Sequence, residues 1–287
     1  MSDARSVTTP WLCLALAVFC AIAVSGDAAP RALDFPGDVI GDIDEDRRLP
    51  EPSGAVYHTA RGTLFVVGDE GDIGELSLSG ELLNHRKLDM EYRPDFEGVT
   101  WAAPTGMLYV IVEMADRILE VDPDELTVER EFVVERSLDN HTVIAEGGQG
   151  LEGITFVADD DDPDGGTFYV VNQGFEDSDE DDASAVLQLR LPLREKEDVL
   201  TARILRHMRL DVFNVAAAHY DTHSTELYLL GDGVLCRASM DGDIRETYRV
   251  PGDDPEGLAF DASGHMYLVH DSGGVVKAKM SELFRAP

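Results

Sequence analysis

Glu51-Pro-Ser-Gly54-Ala-Val-Tyr57, followed after a turn by Leu64-Phe-Val-Val67-Gly68-Asp69, sets the architecture, because the same pattern returns four more times. The returning first runs are Gly98-Val-Thr-Trp101, Gly153-Ile-Thr-Phe156, Ala218-His-Tyr-Asp221 and Gly257-Leu-Ala-Phe260. Their second runs are Leu108-Tyr-Val-Ile111, Phe168-Tyr-Val-Val171, Leu227-Tyr-Leu-Leu230 and Met266-Tyr-Leu-Val269. Short apolar runs separated by turn residues read as strands buried on both faces. Later segments such as Ile118-Leu-Glu-Val121 and Val186-Leu-Gln-Leu189 alternate, as half-exposed outer strands do. Each repeat therefore reads as a four-stranded antiparallel unit of a propeller. The expectation is an all-β, five-bladed β-propeller over residues 33–287, with the N-terminal strand around Leu33 to Ile43 completing the last blade and removing exposed edges.

Two polar columns fall out of the alignment. Before the first run stand Glu51 and Ser53, then Glu97, Glu152, Ala217 and Glu256; after the second run stand Asp69, Glu113, Gln173, Asp232 and Asp271. The start of one strand and the end of its antiparallel partner share an end of the sheet, so both columns should meet around the central channel. Two carboxylates about 4 Å apart repel by roughly 4 kcal/mol at an effective dielectric near 20, so the cluster must hold cations or protons. Oxygen-only ligands of uneven length suit Ca²⁺, with about six to eight flexible ligands, better than octahedral Mg²⁺. The expected metal ligands are thus Glu51, Asp69, Glu97, Glu113, Glu152, Gln173, Asp232, Glu256 and Asp271, with the fourth unit weakened by Ala217 and Ala218. The plainer alternative is a set of solvated acids at strand ends.

The 287-residue chain carries 57 acidic and 23 basic residues, a net charge of −34, which disfavours nucleic acid and anionic membranes as partners. Residues 1–28 have the order of a signal peptide, Arg5 then Trp11 to Val24, an apolar core shorter than the roughly 20 residues that span a bilayer. Export to the periplasm or beyond is expected, an uncleaved inner-membrane anchor being the alternative. Cys13 and Cys20 fall in that segment, which leaves Cys236 as a small core hydrophobe. Asp160-Asp-Asp-Pro-Asp-Gly165 opens like a calcium loop, but Val171 stands where the bidentate Glu belongs, so an ordinary turn is expected. His270 adjoins Asp271 and is a weaker candidate for the channel; His219 and His223 do not have the geometry of a zinc pair.

The stretches Glu51-Pro-Ser-Gly54, Asp95-Phe-Glu-Gly98, Gly150-Leu-Glu-Gly153 and Asp254-Pro-Glu-Gly257 resemble the SdiA-regulated family of bacterial envelope proteins. The resemblance implies a five-bladed propeller with bound calcium and no established activity. It departs at Ala217, where the family usually has an acid. Two functions follow as expectations: a calcium-binding scaffold or binding module for a small molecule or an envelope protein, or a calcium-dependent hydrolase of lactonase, esterase or phosphoesterase type with Asp271 or Glu113 as base.

Overall fold

Turn residues and apolar runs pair in chain order in the computed structural model, which describes residues 31–32, 37–43, 48–146, 149–175, 183–250, 252 and 254–283. Two short strands, β1 (Arg31–Ala32) and β2 (Asp38–Asp42), come first. β3 (Pro52–His58), β4 (Thr63–Gly68), β5 (Asp72–Leu76) and β6 (Leu82–Lys87) then form a four-stranded antiparallel sheet in that order. A second quartet holds β7 (Phe96–Ala102), β8 (Met107–Val112), β9 (Arg117–Val121) and β10 (Val128–Val134). After the small hairpin β11 (Ser137–Leu138) and β12 (His141–Thr142), a third holds β13 (Leu151–Ala158), β14 (Gly166–Asn172), β15 (Ala185–Arg190) and β16 (Val199–Arg209). The fourth is β17 (Ala217–Asp221), β18 (Glu226–Gly231), β19 (Val234–Ala238) and β20 (Ile244–Arg249). The last comprises β21 (Pro255–Phe260), β22 (His265–His270) and β23 (Gly274–Lys279), followed by the single turn α1 (Met280–Leu283).

The sheets do not have uniform strand counts. Parallel pairing of β10 with β16 fuses the second and third quartets into one eight-stranded sheet, and β1 adds a fifth, parallel strand beside β20. Both additions cover outer edges that would otherwise present unpaired backbone groups. The expected N-terminal strand is β2, antiparallel to β23, although one register shift falls between Val39 and Gly41.

The first strands β3, β7, β13, β17 and β21 touch one another in a closed cycle. Their close approach explains the recurring glycine: a Cβ on Gly98 would lie 2.4 Å from the Glu152 carbonyl oxygen, and one on Gly54 2.4 Å from that of Glu97. Side chains tie the cycle as well, since Thr100 Oγ1 accepts from the Phe156 N–H at 3.2 Å and Thr155 Oγ1 from that of Tyr220 at 3.0 Å. The apolar core lies between successive quartets. Phe65, Val67, Phe96 and Val110 pack at one such junction; Tyr109, Phe132, Phe168 and Leu187 pack at the next.

The third strands depart from the expected half-exposed pattern. β5 is buried at all five positions, and Glu75 and Glu120 are buried in strands that alternate in sequence. These carboxylates are partnered: Glu75 accepts from Arg61 Nε at 2.9 Å and Thr63 Oγ1 at 2.7 Å, and Glu120 from Tyr109 Oη at 2.6 Å and Arg130 Nε at 3.0 Å. A charge that brings its own ion pair can occupy a position that alternation assigns to solvent. Only the outermost strands, such as β6, are largely exposed.

Candidate metal centre

Each acid-bearing first strand carries a β-bulge. Between β7 and β8 the register passes from Phe96 opposite Val112 to Val99 opposite Val110; between β13 and β14 it passes from Leu151 opposite Asn172 to Ile154 opposite Val170. The bulges contain Glu97 and Glu152, and the corresponding irregularities in β3 and β21 contain Ser53 and Glu256. A bulged residue leaves the ladder, and its side chain is re-aimed. Two residues earlier, the backbone is left-handed in every unit: Glu51 (φ 47°), Asp95 (φ 39°), Gly150 (φ 88°), Asn214 (φ 49°) and Asp254 (φ 53°). Asp and Asn are the non-glycine residues that tolerate this conformation best. Glu51, Asp95, Gly150 and Asp254 each accept, through the carbonyl, the N–H of Asp69, Glu113, Gln173 and Asp271 respectively, at 3.0–3.1 Å.

This register corrects the alignment of the first column. Glu51 is equivalent to Asp95 and Asp254, and the counterpart of Glu97, Glu152 and Glu256 in the first unit is Ser53. In the fourth unit β17 starts at Ala217, which pairs with Leu230 as Gly54 pairs with Val67, so Ala217 occupies the glycine position and Ala216 the acid position. A bulge inserts one unpaired residue, and counting along a sequence does not register it. Asp95, which joins the acidic cluster, and Asp254, which acts on Glu256, are acids that the two columns omit, although the repeated Asp-x-Glu-Gly of Asp95–Gly98 and Asp254–Gly257 carries the signal.

Carboxylate oxygens of Asp69, Asp95 and Glu97 lie within 4.8 Å of one another. Ser53 Oγ donates to Asp69 Oδ1 and to the Glu51 carbonyl, and Arg93 reaches Asp95 at 2.8 Å from an exposed position. Glu97 also meets the buried Glu152, while Glu113 meets Asp95. Glu113 crosses to the third unit, where a Cβ on Gly150 would fall 2.1 Å from its Oε1 and the glutamate side chain would have to move; the left-handed φ of 88° is what favours glycine there. Glu256 feels Asp254, Asp271, Asp69 and Asp232. Asp232 accepts from Asn214 Nδ2 at 2.9 Å, and Gln173 is held through its backbone, its carbonyl accepting from Ser184 Oγ at 2.6 Å. Glu51 is exposed.

Burial, followed by repulsion from Asp69 and Glu113, pushes the Glu97 carboxyl up to about 9. Burial and Asp95 bring Glu113 to about 7; burial, Asp254 and Asp271 bring Glu256 to about 8. Glu152 is driven well above the carboxylate range by burial and then by Glu97, and burial raises Asp69 and Asp232. Without a cation the folded protein thus holds more protons than the unfolded chain between the unfolded value near 4.5 and the folded values near 7 to 9. The stabilisation is full below about pH 4.5 for these groups and is lost as pH rises through about 7, 8 and 9. Urea midpoints measured in chelator should fall steadily from about pH 5 to about pH 9, and a midpoint that rises over that interval would contradict the assignment.

The other sequence candidates make packing and turn contacts. His270 is buried, and its ring fills the space beside Gly252. The His219 ring packs on Phe260 at 4.5 Å, and burial lowers it to about 4. Cys236 is a buried free thiol pushed up to about 12. In the acidic turn, Asp159 and Asp162 accept backbone N–H groups, and Asp162 pairs with Arg190 at 2.5 Å, as an ordinary turn would. Residues 1–28, read as a signal peptide or anchor, lie outside the described residues. Among the described residues, no helix is long and apolar enough to cross a membrane.

A closed cycle of antiparallel sheets with acids gathered at one end of the inner strands defines a propeller-type protein. The chain belongs to the SdiA-regulated family, whose profile matches residues 49–272. Among solved structures, it is similar to a glutaminyl cyclase from Myxococcus xanthus, with 12% identity, 84% of this chain and 94% of that chain covered, and a TM-score of 0.56. A gluconolactonase from Xanthomonas campestris matches at 12% identity over 88% of this chain and 95% of that chain, with a TM-score of 0.48. The calcium-binding protein regucalcin from Agrobacterium tumefaciens matches at 14% identity over 87% and 95%, with a TM-score of 0.47. No curated protein matches significantly in sequence.

Proposed function

We propose that this chain is an exported, five-bladed, calcium-binding propeller that serves the cell envelope as a binding or scaffold module for a small molecule or another envelope protein. The blade count rests on the five mutually contacting first strands, with the fused and five-stranded sheets treated as blades joined or extended at their outer edges. The observation that carries the metal reading is the approach of Asp69, Asp95 and Glu97 within 4.8 Å. This donor set is made of hard oxygens from two units, which fits Ca²⁺. Asp69 is positioned by Ser53 and Glu97 by its bulge, while Glu113 and Glu152 close the cluster from the second and third units. Glu256, Asp271 and Asp232 extend the acidic funnel on the far side. When bound, calcium supplies charge neutralisation and a Lewis acid at the funnel.

One observation favours a catalytic alternative. Glu152 is a buried acid beside the cluster whose proton affinity is raised well above that of an ordinary carboxylate, and such groups recur at acid–base sites. Calcium titration with elemental analysis tests the metal: wild type binds, and Glu97→Gln weakens binding by at least about tenfold, since a ligand charge is lost. Unchanged affinity in Glu97→Gln would overturn the ligand assignment. Lactones, aryl esters and phosphomonoesters then separate the two functions. The scaffold reading expects no calcium-dependent turnover; turnover that disappears in Glu152→Gln would replace it with the hydrolase.

A further inference from the structure

The loop 88–95 that joins the first two units brings a cation to the funnel acids. Its backbone is anchored at both ends: the Leu88 N–H donates to the Gly71 carbonyl at 2.8 Å, and Pro94 lies so close to Gly71 that a Cβ there would fall 2.7 Å from the Pro94 Cβ. Proline also restricts the residue before it to extended backbone, so Arg93 changes position only through its side chain. That side chain is 70% exposed and meets Asp95 Oδ1 at 2.8 Å, whereas the side chain of Asp95 is only 5% exposed. One partner is held inside the cluster and the other stands in water.

The charges around this pair explain why a cation is kept there. Glu97, Glu152 and Glu256 each feel neighbouring carboxylates, and the Arg93 charge acts on Glu113 in the opposite sense to Asp95 and Asp69. Asp95 offers an oxygen within 4.8 Å of those from Asp69 and Glu97, so an ion held by all three would sit beside the carboxylate that Arg93 already neutralises. A guanidinium and a divalent ion on the same carboxylate repel each other. The exposed ion pair is the weaker claim, because it holds a long side chain in place for little gain and the guanidinium is rehydrated on leaving. The divalent ion carries twice the charge and has three carboxylates to bind.

We propose that Arg93 is the resident counter-ion of Asp95, that a divalent cation entering the Asp69, Asp95 and Glu97 cluster displaces its guanidinium into solvent, and that this competition sets the calcium concentration at which the funnel fills. The inference rests on the metal reading above and adds to it a residue that is not itself a ligand. Arg93 lowers calcium affinity while it steadies the metal-free acids, so its loss has opposite effects on the two forms.

Calorimetric titration of calcium into the intact protein at about pH 8 tests it, with Arg93→Gln, Arg93→Lys and Arg206→Gln as variants. Arg206→Gln removes the same charge from an exposed pair with Asp241 on the outer strand β16 and controls for net charge. Arg93→Gln should tighten calcium binding roughly threefold to tenfold, with Arg93→Lys and Arg206→Gln within about twofold of wild type. The gain should shrink between about 0.05 M and about 0.5 M salt as the guanidinium charge is screened. In chelator, Arg93→Gln should melt about 1–3 °C below wild type, because the acids have lost their counter-ion. Calcium binding that is unchanged or weaker in Arg93→Gln would overturn the competition and leave the metal reading standing, with Arg93 then a residue that merely orients Asp95. If wild type binds no calcium, the metal reading falls; a lower melt of Arg93→Gln in chelator would then mark Arg93 as a permanent counter-ion, which overturns its displacement.

Discussion

Adding calcium to the chelated protein should raise its melting temperature by about 5–10 °C. A ligand that binds only the folded state stabilises by about 2.7 kcal/mol at a hundredfold excess over its dissociation constant, and a domain of this size gains roughly 2–4 °C per kcal/mol. The site should exceed a typical surface effect because the folded apo protein begins from a strained position. Asp69, Asp95 and Glu97 are close together and substantially buried, and Glu97, Glu113 and Glu256 bind protons at pH values where isolated carboxylates would be ionised. Calcium replaces those protons, so the thermal increment should grow from about pH 6 to about pH 9 as fewer protons are available to neutralise the cluster. Differential scanning calorimetry in calcium and in chelator at several pH values checks this. Coincident transitions at every pH would remove the funnel as a metal site.

Gly98→Ala should destabilise the fold by about 3 kcal/mol, lowering the melting temperature by roughly 6–12 °C. Its Cβ would lie 2.4 Å from the Glu152 oxygen, 3.0 Å from the Ile154 nitrogen and 3.1 Å from the Gly153 Cα. All three are backbone atoms of the next inner strand, so no side chain can rotate out of the way and the ring must open locally. Gly106→Ala is the matched control. That glycine has φ 74° but nothing within 4 Å of the added Cβ, so only the left-handed backbone penalty of about 1 kcal/mol applies. Thermal melts of both variants separate close approach from conformational preference. Equal losses would show that the inner strands are not in contact at Gly98. Because Glu97 precedes this glycine in the bulge, Gly98→Ala should also weaken calcium binding, whereas Gly106→Ala should leave it unchanged.

Repetition makes the strand pairs and the second polar column legible in the residues alone: Asp69, Glu113, Gln173 and Asp271 hold the same backbone hydrogen bond in four units. The first column is only partly legible. Glu97, Glu152 and Glu256 fall in equivalent places by counting, but Glu51 falls in with them because nothing in a linear count reveals that Ser53 is the bulged residue and Glu51 the left-handed one. Ala217 shifts by one position for the same reason. Burial of Glu75 and Glu120 is equally hidden, since it depends on Arg61 and Arg130 arriving from other positions in the sheets.

That the chain repeats, that its strands come as apolar runs with acids at one end, and that its charge disfavours polyanionic partners are all written in the residues themselves. Those properties are local, and hydrophobic period, turn chemistry and composition encode them directly. Which acids meet is a matter of tertiary packing. Asp69 and Asp95 lie on neighbouring units and come within ligand distance only because the inner strands close into a cycle through glycines too crowded for a Cβ, and only because a bulge turns Glu97 out of its ladder towards them.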